Sequence, residues 1–114
     1  MPFVQTGNLI FVSGQISQDE GGLIKGRLGD GMSVDEGAAA ARRCGLSLIA
    51  QLKAAVGDLD RVRRVVKLTG FVNSTPDFTD QPKVINGCSD LMVEIFGDAG
   101  RHARAAVSAP ALPL

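Results

Sequence analysis

Residues 33–57 read Ser33-VDEGAAAARRCGLSLIAQLKAAV-Gly57, and this stretch decides the fold. Ser33 followed three residues later by Glu36 is a capping box, in which a hydroxyl and a carboxylate each satisfy a free backbone N–H. The run predicts a helix to about Val56, with Gly57 as its C′ glycine. Ala38, Ala41, Gly45, Leu48, Leu52 and Val56 recur at spacings of three and four. Cys44 and Ile49 widen that stripe to a core-facing surface. Arg42, Arg43, Gln51 and Lys53 take the outer side. The small residues Ala38, Ala41 and Gly45 predict close approach to a sheet.

Working outward, the apolar run Asn8–Ser13 follows Thr6-Gly7 and stops at Gly14, as a short buried strand does. Gly7-Asn8 reads as a tight turn from a first strand around Phe3–Gln5. Gln18–Gly31 reads as a loop, with a short strand at Leu23–Lys25. Val62–Asn73 is rich in β-branched residues and predicts a long strand with a bulge near Gly70. A second helix is predicted to start near Thr79–Pro82, since proline suits the first turn. Val84, Cys88, Leu91, Met92, Ile95 and Phe96 form its apolar stripe, and Gly97 ends it. Ala103–Ser108 is the last strand. The order ββ(β)αβαβ predicts a single α+β domain over residues 1–114, with both helices on one face of one mixed sheet. The other face is apolar at Val65, Phe71 and Leu9–Val12. That predicts an oligomer whose sheets pack between subunits.

Composition narrows the function. The chain has 114 residues, 45% of them apolar and 21% charged, which is an ordinary globular composition. Twelve basic residues balance twelve acidic ones, and there is no Trp or Tyr. A nucleic-acid binder needs a basic footprint or stacking platforms, so nucleic acid is not the expected partner. No apolar run approaches ~18 residues, so no membrane span is expected. Met1-Pro2-Phe3-Val4 lacks the basic and apolar regions of a secretory signal, and a cytoplasmic location is expected. Two cysteines make no disulfide framework. With His102 as the single histidine, no zinc motif exists and no metal is expected. A Ser-His-Asp engine would depend on His102, without a G-x-S-x-G beside it.

Few residues remain to carry chemistry. Arg104 sits in the mostly apolar strand Ala103-Arg104-Ala105-Ala106-Val107 and must find an anion or solvent. It reads either as an edge or intersubunit charge, or as a guanidinium fork for a substrate carboxylate. Ser13-Gly14 is either a strand terminus or a set of donors lining a pocket. Asn86, between Ile85 and Cys88, is either a flanking polar residue or an amide that orients a partner. His102 favours a surface or strand-entry role over that of a general base. Cys44 and Cys88 lie on apolar stripes and read as buried structural thiols. Arg61, Arg63 and Arg64 read as a solvated end of the sheet.

Several segments occur together in order: Gly7-Asn8-Leu9-Ile10-Phe11-Val12-Ser13-Gly14-Gln15-Ile16, Gly57-Asp58-Leu59-Asp60-Arg61-Val62, Lys67-Leu68-Thr69-Gly70-Phe71-Val72-Asn73, Asp77-Phe78, Asn86, and Arg101-His102-Ala103-Arg104-Ala105-Ala106-Val107. As a set they resemble the reactive-intermediate deaminase family, also called YjgF/YER057c/UK114, some of whose members carry the label endoribonuclease L-PSP. The resemblance spans essentially the whole chain and is to a divergent branch with Val-Asn-Ser-x-Pro-Asp-Phe. It implies a chorismate-mutase-like α+β fold of the bacillus type, a homotrimer with sheets forming a central barrel, three intersubunit clefts and no cofactor. In active members an Arg binds the carboxylate of a 2-enamine or 2-imino acid while water attacks the imine carbon. Arg104 matches that catalytic Arg, and Ser13, Gly14 and Asn86 match substrate-binding positions around the cleft. Phe3, where a Tyr is frequent, and Ala106, where a Cys is frequent and the backbone contacts the cleft, are the further substrate-binding positions that the resemblance implies. The family continues past the position of Leu114 into a strand whose Glu positions water, so a trimmed chain is expected.

The expected function is hydrolytic deamination of 2-enamine and 2-imino acids, with a small carboxylate-bearing substrate. The alternative is a non-catalytic trimeric protein that binds a small ligand or a partner on the same scaffold, and ribonuclease activity ranks third.

Overall fold

The computed structural model describes all residues 1–114. Strands β1 (Phe3–Thr6) and β2 (Leu9–Val12) form an antiparallel hairpin, with Phe3 opposite Val12. Gly7 takes a positive φ of 56° in its turn, a conformation that favours glycine. The predicted loop carries four two-residue strands: β3 (Gln18–Asp19), β4 (Gly22–Leu23), β5 (Arg27–Leu28) and β6 (Gly31–Met32). Helix α1 (Val34–Val56) follows, and its capping box is present in both directions. The Gly57 N–H closes it on the Lys53 carbonyl. Strand β7 (Lys67–Asn73), helix α2 (Gln81–Phe96) and strand β8 (Ala103–Ala109) complete the order.

The α+β class is observed, with the strands arranged differently from the single sheet expected. They form four two-stranded ladders: β1–β2, β3–β4, β5–β6 and β7–β8. The β7–β8 pair is parallel and regular, from Lys67 opposite Ala103 to Asn73 opposite Ala109. α2 supplies the crossover that a parallel pair requires.

Three local expectations are corrected. The long strand starts at Lys67, not Val62. The Leu59–Arg61 stretch is a 3₁₀ turn, and the Val65 N–H donates to the Ala99 carbonyl at 2.7 Å outside any ladder. Val65 packs on the core while Val66 is exposed, so the strand alternation begins only beyond them. There is no bulge at Gly70, which pairs in register with Ala106. Gly70 is small because the Ile85 side chain fills the space its Cβ would need. Finally, the small face of α1 approaches α2 rather than a sheet. A Cβ on Gly45 would meet Cys88 and Leu91, and one on Gly87 would collide with the Ala38 carbonyl.

The layers follow from these contacts. α1 packs on α2, and α2 lies on β7–β8. Leu28, Ala41, Val72, Val84, Ile85, Cys88 and Met92 form the core. Burying each Leu, Val, Ile or Met side chain contributes about 1.5–3 kcal/mol, and α2 supplies Val84, Ile85, Cys88 and Met92, so it is the element that holds the layers together. The β7–β8 face away from α2 leaves Phe71 61% exposed and Val107 45% exposed.

Candidate functional site

Strand alternation places His102, Arg104 and Ala106 on one side of the β8 segment. Arg104 lies opposite Leu68, whose side chain packs on the core. This side faces α2, where Asn86 and Ser89 stand one turn apart and share a face. The two elements therefore bring four polar side chains together. Arg104 Nη1 donates to Asn86 Oδ1 at 2.7 Å and to Ser89 Oγ at 3.2 Å. Ser89 Oγ lies 2.9 Å from His102 Nε2, and His102 Nδ1 lies 2.6 Å from the Gly100 carbonyl oxygen. A carbonyl only accepts, so Nδ1 carries a proton. In the neutral ring Nε2 is then an acceptor, and the Ser89 hydroxyl donates to it.

The charge at this site is uncompensated. The ion pairs are Arg42–Glu94, Arg43–Glu20, Lys83–Asp80 and Arg101–Asp98, and Arg104 belongs to none of them. Its two bonds both leave from Nη1, which has two hydrogens. Nε and Nη2 have no protein partner, and the residue is exposed. These two nitrogens form the side-on fork that matches a carboxylate.

The other candidate residues lie elsewhere or play supporting parts. Ala106 is half-buried beneath α2, opposite Gly70. Phe3 belongs to the hairpin and Ser13 and Gly14 directly follow it, and its ladder is separate from β7–β8. The Ser13 hydroxyl already donates to the Met1 carbonyl at 2.6 Å. Within one chain, no hydrogen bond joins them to the Arg104 group. A hollow of about 350 Å³ bordered by Asp19, Lys25, Asp30 and Glu36 includes none of these residues. No cluster of three or more His, Cys, Asp or Glu residues could hold a metal ion. No helix is long and apolar enough to cross a membrane.

The sequence reading missed Ser89 and gave His102 a strand-entry role. The signals were present: Ser89 is three residues beyond Asn86 on a helix, and His102 is two residues before Arg104 on a strand.

The chain is thus a small α+β domain with an exposed, unpaired arginine between a parallel strand pair and its crossover helix. The chain belongs to the family described as "YjgF/chorismate_mutase-like, putative endoribonuclease", whose model matches residues 1–114. It is 53% identical over 113 residues to Protein TCP17 of Trypanosoma cruzi, covering 97% of this chain and 71% of that one. It is also similar to two solved structures. One is a protein of unknown function from Agrobacterium tumefaciens, with TM-score 0.96 and 46% identity over 99% of this chain and 73% of that chain. The other, titled a putative endoribonuclease, is from Shewanella oneidensis, with TM-score 0.95 and 40% identity over 99% of this chain and 76% of that chain.

Proposed function

We propose that this protein hydrolyses reactive 2-enamine and 2-imino acids to 2-oxo acids and ammonia. The observation that carries the reading is Arg104: a cation with no acidic partner, held through Nη1 by Asn86 and Ser89, with Nε and Nη2 open. A substrate carboxylate on that fork is fixed in position and orientation. Water adds to the imine carbon, a proton passes to the nitrogen, and the carbinolamine collapses to the 2-oxo acid and ammonia. Holding the carboxylate in one place keeps the electrophilic carbon at a fixed distance from the attacking water, which lowers the entropic part of the barrier.

The reading includes a homotrimer. Phe71, Val107 and Phe11 are large exposed apolar residues, and a partner subunit would cover them. It also places Ser13, Gly14 and Phe3 beside Arg104 across a subunit boundary, since one chain does not join them. The endoribonuclease titles of relatives fit less well, because twelve basic and twelve acidic residues leave no net charge to attract a polyanion. A non-catalytic protein that captures small carboxylates uses the same fork, so turnover separates the two. The test is ammonia release from 2-iminopropanoate generated in situ. Acceleration over the buffer rate supports the enzyme. Binding of pyruvate without acceleration replaces it with the capture protein.

A further inference from the structure

The chain Arg104–Ser89–His102–Gly100 is longer than carboxylate binding requires. Each member fixes the next. In the neutral ring the Gly100 carbonyl fixes the His102 tautomer, and the bare Nε2 fixes the direction of the Ser89 hydroxyl hydrogen. The lone pairs of Ser89 Oγ are thereby turned toward Arg104 Nη1. A freely rotating serine hydroxyl would offer Nη1 an acceptor only part of the time. An arginine held by Asn86 alone could swing about that single bond.

We propose that Ser89 and His102 are positioning residues that brace the Arg104 guanidinium, so that only its Nε/Nη2 edge is presented to an incoming carboxylate. The inference rests on the reading that Arg104 binds the carboxylate. Ser89 engages Nη1, on the opposite side of the guanidinium from that edge. The brace therefore acts on ligand affinity through the arginine, without touching the ligand itself.

Two sets of measurements on the purified chain test it. Pyruvate is titrated into wild type, Ser89→Ala, Ser89→Thr, His102→Leu and Arg104→Ala, each checked for a native circular dichroism spectrum. Imine turnover is followed in parallel. Ser89→Ala is expected to weaken pyruvate binding by up to roughly tenfold, because the unbraced guanidinium must then be ordered when the ligand binds. The change falls mainly on KM and only slightly on kcat. Ser89→Thr keeps the hydroxyl and is expected to restore binding to within about twofold of wild type, and His102→Leu falls between. Long-range ¹H–¹⁵N correlation of wild type is expected to show His102 protonated at Nδ1 and an Arg104 Nη1 whose rotation is slow. Rotation becomes fast in Ser89→Ala.

Wild-type spectra with an Nε2–H tautomer, or with a freely rotating Arg104, overturn the brace even if a variant fails to fold. So does unchanged pyruvate affinity in Ser89→Ala when Arg104→Ala has lost it, and the carboxylate reading then stands. Unchanged affinity in Arg104→Ala overturns the carboxylate reading itself.

Discussion

Arg104 Nη1 donates to Asn86 Oδ1 at 2.7 Å, tying β8 to α2 through a neutral acceptor. Had the acceptor been a carboxylate, the charge would be neutralised and the guanidinium would serve as a structural tie. An amide holds the group in place while leaving its charge available.

The closeness of α1 and α2 gives the first prediction. A Cβ at Gly87 would collide with the backbone carbonyl of Ala38, which cannot rotate away as a side chain can. Gly87→Ala must therefore spread the helices and loosen the core at Cys88 and Leu91. It is expected to cost about 1–3 kcal/mol or more, as overpacking does, seen as a lower midpoint in urea. Gly14→Ala, where a Cβ meets open space within the chain, is expected to lower the midpoint far less. Equal midpoints for Gly87→Ala and wild type would contradict the packing.

Cys88 gives the second. Burial, with a smaller contribution from Cys44, pushes its thiol up to about 11. Cys44 is also raised by burial. A raised thiol pKa in the fold means that the folded state holds the proton where the unfolded chain releases it. Stability is therefore full below the ordinary thiol value of 9.0 and falls as pH rises from there through about 11. Chemical unfolding at a series of alkaline pH values should show this decline, and Cys88→Ala should flatten part of it. Native-state labelling by a disulfide reagent at neutral pH should be slow. Fast labelling with complete loss of turnover would make Cys88 a nucleophile.

Assembly gives the third. Phe71 is 61% exposed and Phe11 60% exposed. Multi-angle light scattering is expected to give three times the chain mass of 11.9 kDa. Phe71→Asp is expected to shift the population to monomer and to lower turnover with it. A stable wild-type monomer at micromolar concentration would contradict the intersubunit cleft.

Local signals made most of the fold legible. Ser33 and Glu36 mark one helix end, and Gly57 and Gly97 mark two others, because caps are determined within a few residues. Val62–Val66 misled because a tertiary bond from Val65 to Ala99 takes the place of a ladder. Gly45 and Ala38 were legible as close approaches but not their partner, and Gly70 read as a bulge, since the sequence carries no record of which element comes near. Arg104 and Asn86 stood out by residue type. Ser89 and His102 matter only through geometry: a serine on a helix and a histidine at a strand entry are ordinary until the two elements bring them to 2.9 Å. Phe3 lies on the hairpin and Ser13 and Gly14 follow it, none joined to Arg104 within one chain, so a part for them requires the proposed trimer.

The central claim is that Arg104 captures the carboxylate of a reactive imino acid during its hydrolysis. The direct measurement generates 2-aminoacrylate in situ and follows its decay to pyruvate with wild type, Arg104→Lys and Arg104→Ala, each first confirmed in the wild-type oligomeric state. Two charge-assisted bonds contribute roughly 1.5–3 kcal/mol each, so Arg104→Ala is expected to lose on the order of 100-fold or more in kcat/KM. Arg104→Lys keeps the charge without the fork and is expected to fall between. Acceleration by wild type matched equally by Arg104→Ala would contradict the account.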